Sequence, residues 1–318
     1  MADEQGHGHQ GVEEGEEGEE GEEGQEGPEG EEGGRVGRPL ALVRHFIVWR
    51  SSSSGLTTSD SFLPFHPMCG RFAFYSPHEA VVRLFGLPDD TPAIDARYNI
   101  APATFIPAVR ELPDDASPGF AATRRLAMLY WGLVPVWAKD KSIGARMTNA
   151  RAETLREKPA FRTAYRKRRA LVPADGYYEW MQLGPRDKQP YFLRPAGAGP
   201  FALAALWEAW RDPVTGEPLE SCTLITTAPP KSIAYIHDRM PVIIPASAYG
   251  EWLDPRNQDV ERLDRLLTAD GAGNMVAHRV SRLVSNARNQ GPRLIEPVAE
   301  PPLAMTLDLV PAPDDDQD

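Results

Sequence analysis

The chain has 318 residues and a formal net charge of −12. Residues 1–67 hold 15 acidic and 4 basic side chains and the last eight residues hold four aspartates, so the remainder is slightly basic and the acidic total does not exclude a nucleic-acid partner. Two cysteines, Cys69 and Cys222, exclude a disulfide framework and fit a reducing, cytoplasmic setting, and no apolar run nears the roughly 20 residues that span a bilayer.

The N-terminal stretch GVEEGEEGEEGEEGQEGPEGEEGG is low-complexity Glu/Gly sequence, and RSSSSGLTTSDSF continues it as linker. Such sequence has too little apolar surface to repay the entropy of folding, so residues 1–67 are expected to form a disordered acidic extension. The acidic start is unlike a secretory signal or transit peptide. LALVRHFIVW is too short for a span and carries Arg44 and His45.

Domain-like sequence begins at Met68-Cys69-Gly70-Arg71. No methionine lies between Met1 and Met68, so a translation start at Met68 stands beside a true acidic extension as the two readings of this boundary. RFAFYS reads as a strand. In SPHEAVVRLFGL, Ser76 as N-cap, Pro77 at the first helical position and Glu79 three residues on predict a capping box, and Gly86 predicts the stop. ATFIPAVR and RRLAMLYWGLVP read as strands, and RAETLREKPAFRTAYRKR as a helix interrupted near Pro159. RALVPADGYYEW, QPYFLRP, FALAALWEAW and SCTLITTAP read as β-rich segments joined by turns. SIAYIHDRMPVIIP predicts a short helix, a turn and a strand. SAYGEWL and DVERLDRLLTAD read as helices, and MVAHRVSRLVSN returns to strand. Strands and helices do not alternate regularly. One α+β domain over residues 68–305, with a mixed and mostly antiparallel sheet, is therefore expected, followed by an acidic tail over 306–318.

Cys69 is by default a small buried residue, but its place after Met68 gives it a second reading. Removal of a preceding Met would leave an N-terminal cysteine, whose α-amine has a pKa of about 8 beside a thiol of about 8.5. The amine can form an imine with an aldehyde and the thiol can then close a five-membered thiazolidine. An internal cysteine cannot do this, because its nitrogen is an amide. Glu179, in ADGYYEW, is either solvated or salt-bridged, or lies among Tyr177, Tyr178 and Trp180, where desolvation suits a carboxyl for proton transfer near neutral pH. His237, in IHDRMP, is a helix-end histidine or an acid/base group with Asp238 and Arg239 beside it. Arg71, Arg146 and Arg151 are ordinary surface cations or phosphate ligands, with Asn149 as an amide donor close by. Arg166 to Arg169 form a denser but less specific basic run. Trp131 and Trp137 default to core, with base stacking as the alternative if exposed.

Taken together, MCGRF, RYNIAPAT, WGLVPVWAKD, NARAET, ADGYYEW and IHDRMPVII occur in the order seen in SOS-response-associated peptidase (SRAP) proteins, the abasic-site processing family, which the chain thus resembles. The resemblance covers about residues 68–300. It implies a compact α+β fold around a β-barrel-like core, single-stranded DNA with abasic sites as partner, a monomer, and no metal or organic cofactor. It implies Cys69, Asn149, Glu179 and His237 as catalytic residues and Arg71 and Arg151 as phosphate ligands, with Arg146, Trp131 and Trp137 added as candidate DNA contacts. It also implies an abasic-site crosslinking and lyase activity, for which a thiol peptidase using Cys69 and His237, or a non-catalytic single-strand binding module, are the rivals. The family's cysteine is residue two of its gene product and here it is residue 69. The chemistry therefore requires that translation start at Met68 or that the extension be removed.

Overall fold

A computed structural model describes residues 70–112, 123–197 and 199–299. Cys69, the expected acidic extension and the expected acidic tail lie outside the described residues.

From the N-terminus run β1 (Arg71–Phe74), α1 (His78–Phe85), β2 (Arg97–Ile100), β3 (Phe105–Leu112), β4 (Thr123–Trp131) and a short β5 (Asn149–Arg151). Then come α2 (Arg162–Lys167), β6 (Arg169–Ala174), β7 (Gly176–Gly184), β8 (Asp187–Pro195), β9 (Phe201–Arg211) and β10 (Pro218–Thr227). The described part closes with β11 (Met240–Pro241), β12 (Ile243–Ile244), α3 (Tyr249–Leu253), α4 (Val260–Asp264) and β13 (Met275–Arg279).

The strands form two sheets. The larger closes on itself, because β10 pairs parallel to β4 and antiparallel to β9, completing the ring β10-β4-β3-β6-β9. This five-stranded barrel removes its own edges. One and the same face of its strands carries Ile106, Leu129, Val172, Leu203 and Leu224, all fully buried. Each such side chain contributes about 1.5–3 kcal/mol of burial. The second sheet is antiparallel, in the order β13-β8-β7-β1-β2. Alternation along β1 sets its two faces. Phe72 and Phe74 join the barrel core, where the Phe72 ring meets Trp131 edge-on at 5.4 Å. Ala73, with Tyr178 and Phe192, faces Val280, Val284 and Leu294 of the C-terminal segment. The α+β expectation and the barrel-like core are both met.

Four local expectations are corrected. The capping box over Ser76 and Glu79 does not form: α1 begins at His78 with no side-chain cap. The Ser76 hydroxyl instead donates to Asp175, whose carboxylate also accepts from the backbone N–H groups of Tyr75 and Ser76. The Gly86 stop is as expected, in the left-handed region at φ 62°. The helix expected across residues 151–168 is β5, a single 3₁₀ turn and only then the short α2. Residues 231–236 are turns rather than a helix, and the last strand ends at Arg279.

The basic run divides by environment. Arg166 and Lys167 are exposed and Arg168 pairs with Glu208 at 2.7 Å. Arg169, 2% exposed, spends all five of its N–H donors on the carbonyls of Tyr165, Arg166, Trp252, Asp254 and Asn257. Burial lowers its guanidinium pKa to about 10.

Candidate active site

A cleft of about 1020 Å³ opens where β1 and β7 meet the loop before β11. Gly70 and Arg71 line it from the start of β1, Glu179 and Trp180 from β7, and Ile236, His237 and Asp238 from the loop. Pro102, Gln182, Lys188 and Ser285 complete much of the wall.

The backbone explains the convergence. Arg71 pairs with Tyr178 in the β1–β7 ladder, which sets the start of β1 directly beside Glu179. Gly176 opens β7 because a Cβ there would lie 2.0 Å from the Phe192 ring, so no other residue lets β8 pack so closely. Glu179 is 3% exposed and shares the β7 face of Tyr177, which sits in the barrel-side core. The Tyr178 hydroxyl on the other face donates to the Tyr98 carbonyl at 2.6 Å, and burial raises its pKa.

His237 has a defined tautomer. Its Nδ1 accepts from the Arg239 backbone N–H at 3.0 Å, and the Asp238 carboxylate lies 3.1 Å from the same nitrogen. The two contacts require opposite protonation of Nδ1. The backbone donor is fixed by the start of β11, whereas the Asp238 side chain is 85% exposed, so the backbone contact decides. The neutral ring therefore carries its proton on Nε2.

Asn149 and Arg151 sit at the two ends of β5, half-buried and exposed respectively, paired in parallel to Leu224 and Thr226 of β10. They are outside the cleft lining but tied to the His237 loop. Glu153, two residues after Arg151, receives the Arg239 guanidinium at 2.7 and 2.9 Å, and Arg239 also donates to the Thr226 carbonyl. Arg146 is exposed at the end of a 3₁₀ turn, and Trp137 is 56% exposed.

Trp131 is a correction. It is fully buried, its indole N–H donates to the Thr148 carbonyl at 2.8 Å, and it is core rather than a stacking platform for a base. Arg71 is more committed than a simple phosphate ligand, because it donates to Asn99, Val284 and Ser285 and lies 5.9 Å over the Trp180 ring. Burial lowers its pKa from the ordinary arginine value. Sequence reasoning missed Asn99, Gln182, Lys188 and Ser285. Only Asn99 carried a signal, as the polar residue inside the apolar end of RYNIAP.

The family model described as SOS response associated peptidase (SRAP) matches residues 68–287. "Abasic site processing protein YoqW" of Bacillus subtilis is 42% identical over 72% of this chain and 99% of the relative. "Abasic site processing protein YedK" of Escherichia coli is 32% identical over 73% of this chain and 100% of the relative. A crystal structure of a Bacteroides thetaiotaomicron protein superposes with a TM-score of 0.61 at 25% identity, over 73% of this chain and all of that one.

Proposed function

Because the chain belongs to the SOS response associated peptidase (SRAP) family, we propose that it processes abasic sites in single-stranded DNA by covalent capture at the amine and thiol of an N-terminal Cys69. The observation that carries this reading is the meeting of Gly70, Glu179 and His237 in one cleft. Gly70 is the residue bonded to Cys69, which supports reading Glu179 and His237 as its proton-transfer partners.

The substrate is the ring-opened aldehyde of the abasic deoxyribose. The Cys69 α-amine adds to the C1′ carbonyl carbon, and loss of one water gives the imine. The thiol then adds to the imine carbon, its proton passing to the nitrogen, and the thiazolidine closes. Glu179 relays protons during carbinolamine formation and dehydration. The Nε2–H of His237 supplies a donor for the sugar ring oxygen as the ring opens. Loss of a C2′ proton from the imine expels the 3′ phosphate by β-elimination, which is the lyase branch. Arg151, Arg146 and Trp137 are proposed contacts for the flanking strand, with Asn149 orienting the sugar.

The peptidase rival needs a ring nitrogen with an available lone pair to take the Cys69 thiol proton. In His237 that lone pair is engaged by the Arg239 N–H, which favours a donor role. Denaturing electrophoresis of protein beginning at Cys69 with an abasic oligonucleotide tests the proposal. A band of protein plus DNA mass is expected. Cleavage of a peptide substrate without any such band overturns it.

A further inference from the structure

Arg71 reaches the cleft from a seat built by other residues. Its Nη1 donates to Asn99 Oδ1 at 2.8 Å and to the Val284 carbonyl at 2.9 Å, and its Nη2 donates to the Ser285 carbonyl at 3.3 Å. Asn99 is 2% exposed on β2. Its amide nitrogen lies 3.1, 3.0 and 3.2 Å from the carbonyls of Val284, Asn286 and Asn289, so two N–H groups serve three acceptors. Gln290 fastens the same segment. Its Oε1 accepts from the backbone N–H groups of Tyr98 and Asn99, and its Nε2 donates back to the Asn99 carbonyl at 3.0 Å. The Trp180 indole adds a bond to the Ser285 hydroxyl at 3.1 Å.

One buried side chain therefore does two things. Its nitrogen fixes the segment 284–289, whose carbonyls receive Arg71, and its oxygen receives Arg71 directly. A guanidinium has five N–H donors in a rigid plane. Three of them point inward here, which leaves the remaining edge with a fixed direction and little rotamer entropy to lose on meeting a ligand.

We infer that Asn99 is a positioning residue for DNA capture, holding Arg71 at the cleft wall so that its outward N–H donors meet a phosphate of the bound strand. The inference rests on the reading of the cleft as a site for single-stranded DNA. Asn99 touches no substrate and acts only through Arg71, so the two residues should behave as a coupled pair.

The test is a double-mutant cycle on the full chain, read by fluorescence anisotropy with a single-stranded oligonucleotide carrying a tetrahydrofuran abasic analogue. This probe has no aldehyde, so it reports binding apart from chemistry. Asn99→Ala and Arg71→Ala should each raise the half-saturating DNA concentration about tenfold, of the order expected for one charge-assisted hydrogen bond. The double variant should match either single variant. Additive losses overturn the inference, because a general loss of stability would add. Asn99→Asp gives a second check. It keeps an oxygen facing Arg71 and lacks the N–H donors to the segment. It should recover most of the affinity that Asn99→Ala removes while keeping a lowered melting midpoint. Affinity that follows melting midpoint across both Asn99 variants overturns the inference. A parent chain that fails to bind the oligonucleotide overturns the functional reading and this inference with it; binding with an additive cycle overturns this inference alone.

Discussion

Glu153 holds Arg239 through both carboxylate oxygens, at 2.7 and 2.9 Å. Glu153 lies two residues past Arg151 and Arg239 lies two residues past His237, so one ion pair joins the two sequence segments NARAET and IHDRMP. Arg239 is the buried partner, with a side chain 11% exposed against 53% for Glu153. Its third bond, to the Thr226 carbonyl, pins the pair to the end of β10. The arrangement sets β5 and the His237 loop at a fixed separation.

The first prediction concerns that pair and pH. The Arg239 hydrogen bond holds the Glu153 carboxyl below its ordinary value of 4.5. A depressed folded-state value means that the contribution to stability is complete above the unfolded value and fades as pH falls through the folded one. Glu153→Gln should therefore lower the melting midpoint at pH 7, and the gap between parent and variant should shrink below about pH 4.5. A gap as wide at pH 3 as at pH 7 would show that the carboxylate charge is not what joins the segments.

Glu179 and His237 give the second prediction. They converge from β7 and a separate loop, which only catalysis or packing can explain. Glu179→Ala should slow imine formation and strand cleavage by about 10²–10⁴-fold. His237→Ala should chiefly affect ring opening and reversal of the adduct. Single-turnover trapping with a ring-opened aldehyde substrate separates the two steps. Variants that trap within a few-fold of the parent would remove both residues from the chemistry.

Arg151 and Arg146, both exposed, carry the third. Each Arg→Ala change should weaken binding of all single-stranded sequences alike and make the salt dependence shallower by about 0.7 for each phosphate ligand removed. Titrations across a range of ionic strength measure the slope, and an unaltered slope in both variants would exclude them as phosphate ligands.

The parts of this fold that were legible in sequence are those set by neighbours along the chain. Alternation marked most strands and Gly86 marked the end of α1. What failed depended on distant partners. Ser76, Pro77 and Glu79 have the residue types of a capping box, yet Asp175, 99 positions away, outcompetes the helix for the Ser76 hydroxyl. Trp131 defaults to core in the sequence, and only Phe72 and Thr148 seen against it remove the stacking alternative. Asn99 meets Val284 across 185 positions, a pairing that no local pattern encodes.

Arg169 supplies the fourth prediction. Two of its acceptors, Tyr165 and Arg166, are carbonyls in the last turn of α2, and Trp252 is in the last turn of α3, so the cation sits where helix C-termini are negative. Arg169→Met keeps the bulk and strands five carbonyls, of which those of Tyr165 and Trp252 accept in fully buried bonds. A loss of about 4 kcal/mol or more is expected in denaturant unfolding. Arg169→Lys should not restore it, since three donors cannot reach five acceptors. A loss below about 1 kcal/mol would mean that water replaces the guanidinium at little cost.

The last prediction concerns the nitrogen of Cys69. As an internal residue that nitrogen is a peptide amide, whose lone pair is delocalised into the carbonyl and cannot attack an aldehyde. As a terminus it is an amine with a pKa of about 8, leaving a useful neutral fraction at pH 7. Protein beginning at Cys69 should therefore form a stable adduct with single-stranded abasic DNA, and the chain held at Met1 by blocking any cleavage should not. The difference is chemical rather than structural, because Glu/Gly low-complexity sequence has little apolar surface to add to a core. The two forms should accordingly melt within a few degrees of each other. Electrophoresis under denaturing conditions, with one abasic oligonucleotide and both forms at equal concentration, makes the comparison. Equal adduct from the uncleaved long form would mean that a lysine or another side chain makes the bond. Reduction with borohydride distinguishes these routes further. A lysine imine is captured by reduction, whereas a closed thiazolidine has no C=N bond to reduce and should persist without it.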